Sequence, residues 1–371
     1  MSIFDELGID RYINAHDTRT IYGGSRMSDE TLKVMREASE SFVDFQQMQS
    51  ILGKEIAKMT HNEGAYICNG ASAGLLLAAA VCISEGDLFE YRKLPDIRNM
   101  KNEIIVMRCQ RNAYDKAIEA SGAHIVEIGD ADETLCYELE GAINEHTAAL
   151  FYFESSNYKK ASMTLQKAVE IAHKYNVPVV VDAAAQLPPV DNLWKFTKIG
   201  ADMVIFSGGK TLCGPQESGL ILGNKKYLDA CLQLGAPMHG ICRSSKISRE
   251  VMAGLYQAVK IFVNEDPDTY YSSLYSKCQG LKDVMDSTGI FSAYITEMGP
   301  VGQKYPRVFG KIIGDYSVDE INQRMLDKHI YIGVDNQEKA IYISPLNITG
   351  EETIIVQNAL IDVAKSLTKR K

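Results

Sequence analysis

Residues 177–223 read VPVVVDAAAQLPPVDNLWKFTKIGADMVIFSGGKTLCGPQESGLILG, and the fold follows from how they divide. Two short apolar runs stand out, Val177–Val181 and Met203–Phe206. The first stops at Asp182, the second at Ser207-Gly208-Gly209-Lys210. A Val/Ile run bounded by turn residues is the pattern of a strand buried on both faces of a parallel sheet. Residues 193–200 are enough for a short crossover helix between the two. Asp182 and Lys210, 28 positions apart (210 − 182), therefore each sit at the carboxyl end of a strand. In open α/β sheets ligands bind along that edge.

Upstream, residues 64–68 have a strand pattern, and Asn69-Gly70-Ala71-Ser72-Ala73-Gly74 leads into a small-residue helix ending at Ser84. A strand, a Gly-rich turn and a helix start make an anion site, because free N–H groups and the helix dipole converge there. The turn lacks the Lys-Ser/Thr of a P-loop and the three-glycine spacing of a dinucleotide turn. Taken alone, its small residues serve tight helix–sheet packing equally well. Beside an acid and a lysine it acquires a specific meaning. Pyridoxal phosphate (PLP) needs a lysine to bind its aldehyde, an acid to keep its pyridine nitrogen protonated, and a phosphate cradle. The competing reading of Asp182 and Lys210 is a structural ion pair, and the desolvation cost of burying one argues against it.

The surrounding chain repeats the strand–helix alternation. Strand patterns at 103–107, 124–128 and 148–153 are separated by helical ones, and a helix opens at Thr164-Leu165-Gln166. This predicts an α/β fold, a mostly parallel sheet with right-handed crossovers and flanking helices. Arg111 lies just past a strand end, on the ligand edge. After Lys210, Gly214-Pro215-Gln216-Glu217-Ser218-Gly219 turns back into a strand at 220–222, expected to run antiparallel. Before the sheet comes an arm with helices at 29–43 and 48–59, and its polar loop carries Asn14, His16, Arg19 and Arg26. After it come a polar loop at 236–246, helices at 248–263 and 269–286, and an alternating tail. The tail's strands are placed at 291–297, 307–313, 330–333 and 340–344, and its helices at 318–327 and 351–367. The expected division is an arm or small-domain contribution at 1–45, a cofactor domain at 46–260 and a smaller α+β domain at 261–371.

The totals bound the function. The chain has 371 residues and a net charge of −9, and its one Lys/Arg-rich run is Lys369-Arg370-Lys371. Nucleic acid is therefore not the expected partner. The eight cysteines form no Cys-x-x-Cys pair and sit mostly in apolar runs. That pattern predicts a reducing cytoplasm and no metal site. The start, MSIFDELGID, lacks the regions of a signal peptide, and the most apolar stretch, 71–83, is too short to span a bilayer.

With these pieces placed, the sequence resembles the fold type I PLP-dependent enzymes, and among them the selenocysteine synthase (L-seryl-tRNA(Sec) selenium transferase) superfamily. The residues that carry the resemblance are Ile13-Asn14-Ala15, Gly23-Gly24-Ser25, Asn69-Gly70-Ala71-Ser72-Ala73, Val181-Asp182-Ala183-Ala184-Ala185, Phe206-Ser207-Gly208-Gly209-Lys210 and Gly214-Pro215-Gln216-Glu217-Ser218-Gly219. The last two are the specific ones. His16-Asp17 stands where relatives tend to have Ser-Gly, and Gln110 where they often have His. The chain also lacks the extra N-terminal region that engages tRNA, so it is more similar to the short metabolic branch of the superfamily, which contains ammonia-lyases of amino sugar acid phosphates.

The resemblance implies roles. Lys210 would hold PLP and then take the substrate's Cα proton, and Asp182 would face the ring nitrogen. Gly70, Ala71, Ser72 and Ser207 would hold the phosphate. Gln110, Arg111 or Tyr114 would cover the ring, and Ala184, Gln216 and Ser218 would line the cofactor. Arg19, Arg26, His239 and Arg243 would clamp a small anionic substrate. The implied reaction is elimination of ammonia. An aldolase, a thiolase, a selenium or sulfur transferase, and a non-catalytic PLP-fold protein stay open as alternatives. A homodimer or larger assembly is implied, with loop 214–219 or the N-terminal loop acting in trans.

Overall fold

The computed structural model describes residues 2–368; the basic Lys369-Arg370-Lys371 lies outside the described residues. Two compact units emerge. One is residues 27–264, the other residues 2–26 together with 265–368.

In the first strand of the chain, β1 (Ile13–Asn14), only two residues pair. The large unit then carries seven strands: β2 (Gly64–Cys68), β3 (Glu103–Met107), β4 (His124–Ile128), β5 (Thr147–Phe153), β6 (Val179–Asp182), β7 (Met203–Ser207) and β8 (Gly219–Gly223). They form one sheet in the order β2-β8-β7-β6-β5-β3-β4. Strands β3 to β7 pair in parallel, and β8 runs antiparallel to both neighbours, β7 and β2. The Val/Ile runs that predicted two-sided burial have it. Ile105, Val179 and Val181 enter the core on one face, and Ile104, Val106 and Val180 the core on the other.

The helix Gly70–Ser84 belongs to the second of these cores, where ten of its fifteen residues are buried. That burial all round is why its sequence is apolar and small without an amphipathic stripe. The predicted helix at 29–43 ends at Ser39. It lies along the helix Arg249–Asn264, so residues 27–45 belong with the large unit and not with an arm.

The small unit has a four-stranded antiparallel sheet in the order β12-β13-β10-β9, built from β9 (Phe291–Thr296), β10 (Arg307–Ile312), β12 (Gly333–Asp335) and β13 (Ala340–Ile343). Strand β11 (Ile330–Tyr331) pairs in parallel with β1. The single strand predicted at 330–333 is therefore two, in two sheets, parted at Ile332, which is buried. The helices Pro267–Ser287, Val318–Leu326 and Gly350–Thr368 cover this sheet around a separate core that includes the fully buried Ala15. No described helix is long and apolar enough to cross a membrane.

Candidate active site

The carboxyl ends of β5, β6 and β7 make one edge of the large sheet, so Glu154, Asp182 and Lys210 emerge side by side. Asp182 is the last residue of β6, opposite Phe153 on β5 and Ile205 on β7. Its backbone carbonyl accepts the Glu154 N–H at 3.0 Å. Its Oδ1 accepts the Ala184 N–H at 2.9 Å, and its Oδ2 meets no donor among the described residues. Burial pushes the carboxyl above its ordinary range, against the Ala184 N–H and the charge of Lys210, which both pull it down.

Lys210 stands three residues past β7 in a turn that its own backbone closes. The Cys213 N–H donates to the Lys210 carbonyl at 3.0 Å, the Gly214 N–H to the Gly208 carbonyl at 2.8 Å, and the Gly208 N–H to the Ser218 carbonyl at 2.8 Å. Thr211 Oγ1 donates to the Leu187 carbonyl at 2.9 Å and ties the turn to the segment after Asp182. Two glycines are required by close approach. A Cβ on Gly209 would lie 2.6 Å from Gln216 Cα, and one on Gly219 would lie 2.5 Å from the Gly70 carbonyl carbon and 2.9 Å from the Ala71 nitrogen. The lysine turn, Gln216 and the start of the helix Gly70–Ser84 are therefore one interlocked block. Asn69, at the N-cap of that helix, makes no side-chain cap bond, so it leaves the first N–H groups to a ligand.

These features fit PLP. A partly buried carboxylate with an unclaimed oxygen suits a protonated ring nitrogen, and an uncapped helix start abutting the lysine turn suits a phosphate. Gly70, Ala71, Ser72, Asp182, Ala184, Ser207, Lys210 and Gln216 are all brought to this edge. Ser218 is fully buried and donates to the Pro215 carbonyl at 2.6 Å, so it braces the turn instead of facing a ligand.

The residues expected over the ring are placed differently. Gln110 is fully buried; its Oε1 accepts the Phe153 N–H at 2.9 Å and its Nε2 donates to Ser162 Oγ at 3.0 Å. It fastens the turn after β3 to the end of β5. The Arg111 guanidinium is held by Asp115 (Nε–Oδ2 2.5 Å), Glu127 and Glu119. Tyr114 is exposed. His239 is exposed, and Arg243, half-buried, forms no ion pair among the described residues.

Arg19, Arg26, Asn14 and His16 belong to the small unit. Arg26 makes a two-pronged bond with Glu352, 2.6 and 2.8 Å. Arg19 has no carboxylate partner among the described residues. Asn14 is a loop organiser: its Nδ2 donates to the Asp17 and Tyr22 carbonyls, and its Oδ1 accepts the His16 and Asp17 N–H groups. His16 is buried, with its ring 4.3 Å from that of Tyr22, and burial holds its pKa below the ordinary imidazole range.

Two neighbours of Asp182 escaped the sequence reading. Glu154 follows β5 directly, and burial pushes its carboxyl up. Burial also raises the Tyr158 phenol, and the carboxylates of Asp182 and Asp115 raise it further. The available signal was strand order, since residues after β5 must border β6 in a parallel sheet.

The family model described as SelA, L-seryl-tRNA selenium transferase, matches residues 46–275. D-glucosaminate-6-phosphate ammonia lyase of Salmonella typhimurium is 35% identical over 264 residues, covering 70% of this chain and 69% of that protein. The 5'-C-glycyluridine monooxygenase-decarboxylase of a Streptomyces species is 33% identical over 264 residues, covering 69% of this chain and 64% of that protein. A solved structure of D-glucosaminate-6-phosphate ammonia-lyase superposes with a TM-score of 0.86 at 28% identity, covering 99% of both chains. At 13% identity, a serine palmitoyltransferase from S. paucimobilis with bound PLP–myriocin (TM-score 0.60, 96% of this chain and 88% of that one) shares the fold. The chain belongs to the L-seryl-tRNA selenium transferase (SelA) family.

Proposed function

We propose that this chain is a PLP-dependent lyase that releases ammonia from an amino sugar acid phosphate, D-glucosaminate 6-phosphate, leaving 2-keto-3-deoxygluconate 6-phosphate. The observation that carries the reading is the block formed by Asp182, the Lys210 turn and the uncapped helix at Gly70, in a chain 35% identical to an enzyme named for that reaction. When bound, PLP supplies an electron sink for the substrate's Cα. The chain's own residues do the rest. Asp182 Oδ2 holds a proton on the ring nitrogen, which also relieves a carboxylate that burial disfavours. The N–H groups of Gly70, Ala71 and Ser72, with Ser207, hold the phosphate. Lys210 Nζ would take the Cα proton. The substrate loses the elements of water across Cα–Cβ and regains them as ammonia leaves, so ammonia is the net loss.

Homo-oligomeric assembly and a cytoplasmic location belong to the same reading, which the family resemblance and the cysteine pattern support. A second reading, cleavage of the Cα–carboxyl bond, is favoured by the 33% identity to a decarboxylase. One assay separates them. On 2-amino-2-deoxygluconate 6-phosphate the parent should release ammonia and a 2-keto acid in equal amounts, and Lys210→Ala should abolish both together with the visible absorption of the bound cofactor. Carbon dioxide in place of ammonia would favour the second reading, and no turnover at any concentration would overturn the first.

A further inference from the structure

On the large unit a cavity of about 400 Å³ opens beside Asn69, at the entrance to the phosphate cradle. Its walls carry four charges. Two are committed to each other and to the backbone: Arg249 pairs with Glu250 at 3.2 Å and donates to the carbonyls of Ala38 and Ser39. The other two, Lys246 and Glu217, form no ion pair among the described residues. Lys246 is anchored at its root, because Asn69 Nδ2 donates to its carbonyl at 2.7 Å. The side chain that stands at the helix start thus also fixes where this ammonium begins. The remaining wall includes the apolar Phe42 and Val43.

A bare anion would meet Glu217 as well as Lys246. A chain of hydroxyls ending in an anion suits both, with hydroxyl groups donating to Glu217 and the ammonium taking the anion. We propose that this cavity takes the distal end of the substrate, a polyhydroxylated chain ending in a phosphate monoester, and that Lys246 determines selection of the phosphorylated substrate. The inference rests on the lyase reading and adds a specificity-determining residue to it. A phosphate monoester could come from the cofactor instead, and the experiment separates the two sources.

Holoenzyme of the parent, Lys246→Gln and Lys246→Arg is assayed on 2-amino-2-deoxygluconate 6-phosphate and on its unphosphorylated form, and cofactor retention is followed by visible absorption after dialysis. For Lys246→Gln, KM for the phosphorylated substrate should rise roughly 10- to 100-fold. The unphosphorylated one should be unaffected, Lys246→Arg should recover most of the loss, and cofactor retention should not change. An unchanged KM, or an equal change on both substrates, overturns the inference. So does loss of cofactor from Lys246→Gln, which would put the lysine on the PLP phosphate. If the parent turns over neither substrate, the lyase reading fails, and calorimetric titration with the phosphorylated compound decides the inference separately. Binding weakened in Lys246→Gln upholds it; equal binding overturns it.

Discussion

With Oδ2 unclaimed and its carboxyl raised by burial, Asp182 is a liability to the chain until a cation sits against it. In the unfolded chain this carboxyl gives up its proton in the ordinary range, whereas in the folded chain it holds the proton to higher pH. Folding without cofactor is therefore favoured below that range, and the benefit is lost as pH rises through the folded pKa. Asp182→Asn should melt a few degrees higher than the parent at neutral pH once cofactor is removed, with the gap closing as the pH falls toward about 4. The same variant should lose roughly 100-fold or more in activity when cofactor is restored. Cofactor-free melting curves across pH check the first claim; a parent that melts higher at neutral pH would contradict it. Other single residues were harder to read. Gln110, Arg111, Ser218 and Arg26 stand at the right positions in the sequence, but their side chains go to protein partners. Spacing says that a residue follows a strand, not which way its side chain turns.

Elements were legible where their physics is local. Strands β2 to β8 are short, mostly apolar runs stopped by turn residues, and the antiparallel return of β8 was visible in the Gly-Pro-Gln-Glu-Ser-Gly turn. Strand β1 was not, because two residues carry no periodicity and its partner β11, read as part of one strand at 330–333, lies more than 300 positions away. The placing of helix Asp29–Ser39 was missed for a related reason. It packs along the helix Arg249–Asn264, with Met35 against Gly254, and Arg249 fastens its end, Nε and Nη2 donating to the carbonyls of Ala38 and Ser39 at 2.7 and 2.9 Å. Charge-assisted bonds to the last carbonyls of a helix also complement its dipole. Arg249→Ala should therefore destabilise the protein by about 1.5–3 kcal/mol, read as a shift of the urea unfolding midpoint. Arg249→Lys should recover part of this.

At the scale of the whole molecule, each unit has its own core: the two faces of the large sheet within residues 27–264, and a third core confined to the rest. The large unit is also one continuous piece of chain. A fragment of residues 27–264 should therefore unfold cooperatively on heating, followed by circular dichroism. A fragment of residues 265–371 should not, since it lacks β1 and the buried Ala15. A featureless melt of the first fragment would show that its cores do not suffice. The pairing of Ile13–Asn14 with Ile330–Tyr331 also sets a timetable for biosynthesis. At about 5–20 residues per second, the first strand leaves the ribosome roughly 15–60 seconds before its partner exists. Through that interval the N-terminal segment stays unpaired, and the cofactor-binding unit, which ends at Asn264, is complete for roughly its last 3–13 seconds. Newborn chains thus become able to load cofactor before they can finish folding.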